Sequence, residues 1–262
     1  MKLSIVIIVC KNDAAGTVRT LQSLRLPGAD LVLYDTSKSG IAKDVAGFYG
    51  ARWVEGDWRG YEQVRYQAAL SAMHDWILML HTGEELDNQL HQSIKELEYQ
   101  ERRVAYRIRF KSLFHRKWLC HGEWGGHYHI RLANKKTVST GDHKINEKIF
   151  RQQGIPVQKL EGNILHRVLN DRQWLRSKLW RDARLAAIRY YRHGQHCTIL
   201  HLVISPVIAF IQHYLLKRGF LDGRQGYVCA RLGAWYTFAK YSQLRKIYQE
   251  LKSHPETAKY TK

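Results

Sequence analysis

The sequence predicts an α/β domain of the doubly wound kind, followed by a helical extension. Leu3–Cys10 is a continuous run of β-branched and apolar residues, as expected of a strand buried on both faces of a parallel sheet. After it, short apolar runs alternate with segments of helical spacing as far as Leu80, the rhythm of successive strand–helix units. From Asp171 onward the spacing is helical throughout. The expected division is an α/β domain over residues 1–168 and a helical extension over 169–262.

Taken in order, Asn12 and Asp13 follow the first strand as turn or cap residues. Val18, Leu21 and Leu24 then share one helical face, and Pro27-Gly28 ends that helix. Residues 31–34 are a predicted strand, 41–49 a helix, 52–54 a short strand, 61–73 a helix and 76–80 a fourth strand. Beyond Asp87 the pattern changes. Residues 88–102 read as a helix, and 104–110 alternate, with Tyr106, Ile108 and Phe110 opposite Arg107 and Arg109. Further strands are expected at 128–132 and 147–150.

Residues 198–216 are mostly apolar. His201, Ser205, Pro206, Gln212 and His213 interrupt them and Lys217-Arg218 follow, so the segment reads as an interfacial or buried helix rather than a membrane span. One version lays its apolar face on an anionic bilayer between cationic flanks. The other packs it on the α/β domain.

With 45% hydrophobic and 25% charged residues the composition is that of a folded protein. A net charge of +19 asks for a polyanionic neighbour: nucleic acid, an anionic membrane or a phosphorylated glycolipid. No RNP, zinc-finger or helix-turn-helix pattern is visible, so nucleic acid is not the expected partner. The four cysteines, Cys10, Cys120, Cys197 and Cys229, form no CxxC pair and no disulfide framework, which suits a reducing compartment. Only Lys2 precedes the first apolar run and no small-residue cleavage site follows, so a cytoplasmic protein is expected.

Ligands of doubly wound sheets bind beyond the carboxyl ends of the strands. That topology gathers Lys11, Asp13, Asp35, Arg65, His81, Gly83 and Glu84 around one crevice.

Three stretches carry a resemblance: LSIVIIVCKNDAAGTVRTLQSL with the LVLYDTSKSG beyond it, GDWRGYEQVRYQAAL, and KRGFLDGRQG followed by WYTFAKYSQL. Together they resemble the bacterial family 2 glycosyltransferases that add glucose to the inner-core heptose of lipopolysaccharide. The resemblance spans roughly residues 3–245. It implies a GT-A, Rossmann-like nucleotide-sugar domain with a helical C-terminal extension. It also implies a UDP-sugar donor, a lipid A–core acceptor and a place on the cytoplasmic face of the bacterial inner membrane. By the same resemblance Asp35 binds the nucleotide base and Arg65 faces the diphosphate.

The family's Asp-x-Asp motif, which holds Mg²⁺ or Mn²⁺ against the diphosphate, is degenerate here. His81 and Gly83 stand at its two acidic positions, while Glu84 keeps a third. The departure leaves two alternatives: the metal implied by the family falls to a shifted site of His81, Glu84 and His166, or the metal site is lost. Imidazole suits Mn²⁺ better than Mg²⁺. In HGEWGGHYHIRL, Trp124 is kept but His127 stands where the family's candidate base belongs, and an imidazole titrating near pH 6.5 can take a proton from a sugar hydroxyl. Glu147, in Ile145-Asn146-Glu147, survives from a Val-His-Glu pattern. Glu147, His127 and Glu84 are the candidate bases. Asp222 is expected to cap the helix behind it, with Gly219, Gly223 and Gly226 allowing close packing. Two functions follow: an inverting transferase moving glucose or a related sugar from a UDP-sugar to core heptose, or a non-catalytic relative that binds nucleotide sugar or glycolipid.

Overall fold

The computed structural model describes residues 2–10, 13–38, 40–58, 60–99, 104–114, 117–138, 150, 153–167 and 172–253. Two compact units form, one of Met1–Lys111 with His127–Arg167, the other of Ser112–Gly126 with Val168–Lys262. The second unit thus takes in a short segment, 112–126, that the sequence pattern places with the α/β domain.

The first unit is built on a twisted sheet. Strand β1 (Leu3–Val9) is buried along its whole length and lies between β2 (Asp30–Asp35) and β4 (Trp76–His81), parallel to both. Strand β3 (Arg52–Glu55) adds in parallel outside β2. Alternate side chains supply two cores. Leu3, Ile5 and Ile7 face helices α1 (Ala14–Ser23), α2 (Ile41–Phe48) and α4 (Asn88–Glu96), whereas Val6 and Ile8 face α3 (Tyr61–Leu70). Burying each of these side chains contributes roughly 1.5–3 kcal/mol. A run apolar on both faces is what this central position requires.

Beyond β4 the sheet continues with β8 (Gly125–Asn134), β6 (Ala105–Phe114), β9 (Val157–His166) and the short β5 (Glu84–Leu86). Here β8 runs antiparallel to β4 and β5 antiparallel to β9. The four-residue α5 (Lys135–Val138) follows β8. Most of the strand expected at 147–150 lies outside the described residues.

Helix α4 ends six residues before the expected 102. Leu97 is extended, and the chain turns in to leave Tyr99 half-buried, its hydroxyl donating to the Ile94 carbonyl at 2.7 Å and its ring packed edge-on against Trp76 at 5.8 Å. At the other end Asp87 accepts from the Leu90 N–H at 2.8 Å and from the Asn163 backbone and side chain at 3.0 and 2.6 Å. This cap ties α4 to β9. At the crossing, Gly162 has φ +99 and a Cβ there would collide with the Leu90 backbone.

The second unit holds the hairpin strand β7 (Lys117–Leu119), paired with the end of β6, and helices α6 (Arg172–Arg192), α7 (Ile199–Ile211) and α8 (Arg224–Ser253). A π-helical turn (Gln212–Leu216) and a 3₁₀ turn (Gly219–Asp222) join α7 to α8. Helix α7 runs back along α8, with His201 against Tyr241 at 5.1 Å and Phe210 against Tyr227 at 5.8 Å. A core of Phe114, Leu119, Leu175, Leu179 and Cys229 joins the hairpin to α6 and α8. Asp222 does not cap the following helix. Its carboxylate accepts from the Cys120 and His121 backbone N–H groups at 3.0 and 2.8 Å, so it holds the β7 turn instead. The glycines do pack closely: a Cβ on Gly226 would meet the Gly219 carbonyl.

Candidate active site

The carboxyl ends of β2, β1 and β4 lie side by side: Val9 pairs with Asp35, and Ile8 with both Tyr34 and His81. With strands about 4.8 Å apart, Asp35 and His81 are roughly 10 Å from each other across β1. The loop after β4 is pinned to this edge. Thr82 N–H donates to the Ile8 carbonyl at 3.2 Å, and Gly83 N–H donates to the Thr20 hydroxyl at 3.0 Å. Gly83 turns the chain with φ +84, a conformation glycine adopts freely.

Glu84, 4% exposed, is the centre of the site. One carboxylate oxygen accepts from Arg131 at 2.7 Å, and the other from the His81 backbone N–H at 2.8 Å. Burial pushes the Glu84 carboxyl up; the Arg131 guanidinium and the His81 N–H pull it back. Arg131, from β8, is itself buried, lies over the Phe110 ring at 4.8 Å and keeps an Nε without a hydrogen-bond partner. Across the β5–β9 ladder Glu84 pairs with His166. Burial holds His81 well below the ordinary imidazole value, and the charges of Arg131, Arg65 and His166 add to the effect, so His81 is neutral at neutral pH.

Arg65, on α3, donates to the Ile130 carbonyl and to the Met79 sulfur, each at 3.2 Å. With Arg131 and Lys135 it borders a cavity of about 230 Å³ floored by Ile77, Met79 and Ile130. Cations over an apolar floor suit an anionic ligand with an apolar part.

The expected residues therefore separate. His81, Glu84, Arg65 and His166 converge, joined by Arg131, which no sequence motif singles out. Asp13 caps α1, accepting from the Gly16 N–H at 2.7 Å. Asp35 is fully buried; Ser37 donates to it through its N–H and hydroxyl at 2.8 and 2.6 Å, and Trp53 through its indole at 3.4 Å. His127 is half-buried on β8, four residues from Arg131 and on the same face, about 13 Å away along the strand. His129 stands between them, its ring edge-on to Phe110 at 5.0 Å. Lys11 and Glu147 lie outside the described residues. The alternation His127, His129, Arg131 in HYHIRL is the signal that could have found Arg131: one face of one strand carries all three.

The metal expectation is corrected in part. Among the described residues no group of three or more His, Cys, Asp or Glu side chains could hold a metal ion. Glu84 is committed to Arg131 and to the His81 N–H, and a guanidinium beside it repels a second cation. His81, Glu84 and His166 as described do not fit Mg²⁺ or Mn²⁺.

No family model matches the sequence. An uncharacterized glycosyltransferase of Rickettsia typhi is 22% identical over 265 residues, covering 94% of this chain and 88% of the relative. The lipopolysaccharide core biosynthesis glycosyltransferase LpsC of Rhizobium meliloti is 24% identical over 261 residues, covering 95% and 93%. Among solved structures, GalNAc-T7 with UDP, GalNAc and Mn²⁺ superposes with a TM-score of 0.53 at 14% identity, over 65% of this chain and 44% of that one. The fold is thus the GT-A fold, and the relatives of similar sequence are named glycosyltransferases. In this fold the crevice around Glu84 lies at the carboxyl edge of the parallel strands, with His81 ending β4 and Gly83 in the loop after it.

Proposed function

We propose that the chain transfers a hexose, glucose in the first instance, from a UDP-sugar to the heptose region of lipopolysaccharide core. Transfer inverts the anomeric centre and takes place at the anionic cytoplasmic face of a bacterial inner membrane. The observation that carries the reading is the similarity to LpsC over nearly the whole of both chains.

The chemistry asks for two things: a base for the acceptor hydroxyl and positive charge for the departing diphosphate. Arg65 and Arg131 supply cationic groups beside His81 at the end of β4. His127 and Glu147 are the candidate bases; Glu84 serves instead to hold Arg131 and the His81 backbone in place. Asp35 and Gly83 shape the nucleotide side of the crevice.

A second reading, a relative that binds nucleotide sugar or glycolipid without turnover, is favoured by one observation: Glu84, Arg131 and the His81 N–H satisfy one another. Calorimetric titration of UDP-glucose and UDP, first with EDTA and then with Mn²⁺, followed by turnover on a heptose-containing core acceptor, separates the two. Binding with turnover, lost in Asp35→Ala and His127→Ala, supports transfer. Binding without turnover selects the second reading. Absence of binding in a folded chain rejects UDP-glucose as donor.

A further inference from the structure

The 18 residues Ile199–Leu216 contain no Asp, Glu, Lys or Arg, and only 11% of them are buried. Leu200, Val203, Ile204, Val207, Ile208 and Ile211 succeed one another at helical spacing and are 42–65% exposed. The apolar surface continues through Leu215, Leu216, Phe220 and Leu221 around the turn into α8. A stripe of this length left in water is a docking surface.

We propose that α7 and the turn after it are the membrane anchor of this chain, and that α7 lies in the plane of an anionic lipid surface rather than crossing the bilayer. The proposal deepens the membrane placement in the proposed function and is independent of the sugar chemistry.

Charge selects the occupant. Residues 172–253 carry fifteen Lys and Arg against three acidic residues, Asp182, Asp222 and Glu250. A second copy of the chain docking on this stripe would bring two such cationic units together, which repel. An anionic headgroup layer attracts them while its acyl boundary takes the apolar stripe.

Orientation comes from α8. It runs alongside α7 from Tyr227 to Tyr241 and carries Arg231 and Lys240 within that stretch. Were α7 to cross the bilayer, these charges would travel with it into hydrocarbon, which is costly. Lying flat, α7 buries its outward stripe and leaves α8 on the water side.

The test is co-sedimentation of the full chain with phosphatidylcholine vesicles, with and without phosphatidylglycerol, beside the double variant Val207→Glu/Ile208→Glu. Both positions are exposed, so the variant should keep the parent's far-UV circular dichroism. Expected are binding to the anionic vesicles, release by alkaline carbonate, and a loss of at least about tenfold in the variant. The proposal falls if the parent does not bind, if the variant binds equally, if carbonate leaves the chain in the membrane as a spanning helix would be, or if the parent self-associates through this stripe without lipid. Vesicle binding without UDP-glucose binding would reject the transferase reading and leave the anchor standing; the converse would do the opposite.

Discussion

Arg131 and Glu84 show how a charge inside a protein depends on its partner. Both side chains are nearly fully buried and 2.7 Å apart. Removing one strands the other, an effect of about 3–5 kcal/mol for buried pairs. Arg131→Met should therefore lower the unfolding free energy by about 3 kcal/mol, whereas Arg131→Met/Glu84→Leu should recover much of that loss; urea unfolding of both variants measures it. A single-variant loss below about 1 kcal/mol would mean the pair is solvated. The candidate site residues legible in the sequence, His81, Glu84, Arg65 and Asp35, sit at or just beyond strand and helix positions that topology turns toward one edge. Arg131 is legible only as a position on the strand face it shares with His127 and His129; its burial is not, because an arginine alternating with apolar residues reads as solvent-facing until its partner on another strand is known. Asp35 is legible as a position, but its Ser37 and Trp53 contacts are not: they depend on a turn and on a neighbouring strand.

At the scale of elements, the strands and helices of the parallel half keep the expected order, because each is bounded by its own local signal: Asp13 as a cap, Pro27-Gly28 as a stop, an apolar run for each inner strand. The end of α4 differs from expectation, because what stops it is the packing of Tyr99 against Trp76, a tertiary contact with no local mark. The hairpin's Glu123 gives a prediction of its own. It meets His213 at 2.9 Å and Lys217 at 3.0 Å. Burial raises the Glu123 carboxyl, but these two partners outweigh burial and hold it at about 2, below the ordinary 4.5. A depressed carboxylate contributes its stability in full above its unfolded value and loses it as pH falls through the folded one. Between pH 4.5 and about 2 the parent should thus lose stability more steeply than Glu123→Gln; acid titration of tryptophan fluorescence, with Trp124 next to the pair, tracks it. Parallel curves would mean the tether is not formed in solution.

Over the whole molecule the charge is uneven, and a large share of the +19 falls in residues 172–253. Attraction to an anionic surface should then weaken with salt, since the screening length drops from about 10 Å at 0.1 M to about 3 Å at 1 M. Vesicle binding should decline over that range without vanishing, because apolar burial is not screened; co-sedimentation across a salt series measures it, and complete release by salt would leave no role for the stripe. The fold class is legible at this scale because alternation of strand and helix is a property of sequence order. The apolar stretch is legible in composition, yet its burial is decided only by α8, which covers one side of it alone. The turn that ends the stretch has a consequence for aim. In a π-helical turn the backbone takes more residues per revolution than in an α-helix. Gln212–Leu216 thus changes the helical phase between α7 and the chain beyond the turn, while His213 and Lys217 reach the same carboxylate of Glu123. Removing a single residue there would rotate the stripe by about a quarter of a turn relative to the Glu123 contact. The direction in which the anchor points is set by the count of residues in one turn, as much as by which residues they are.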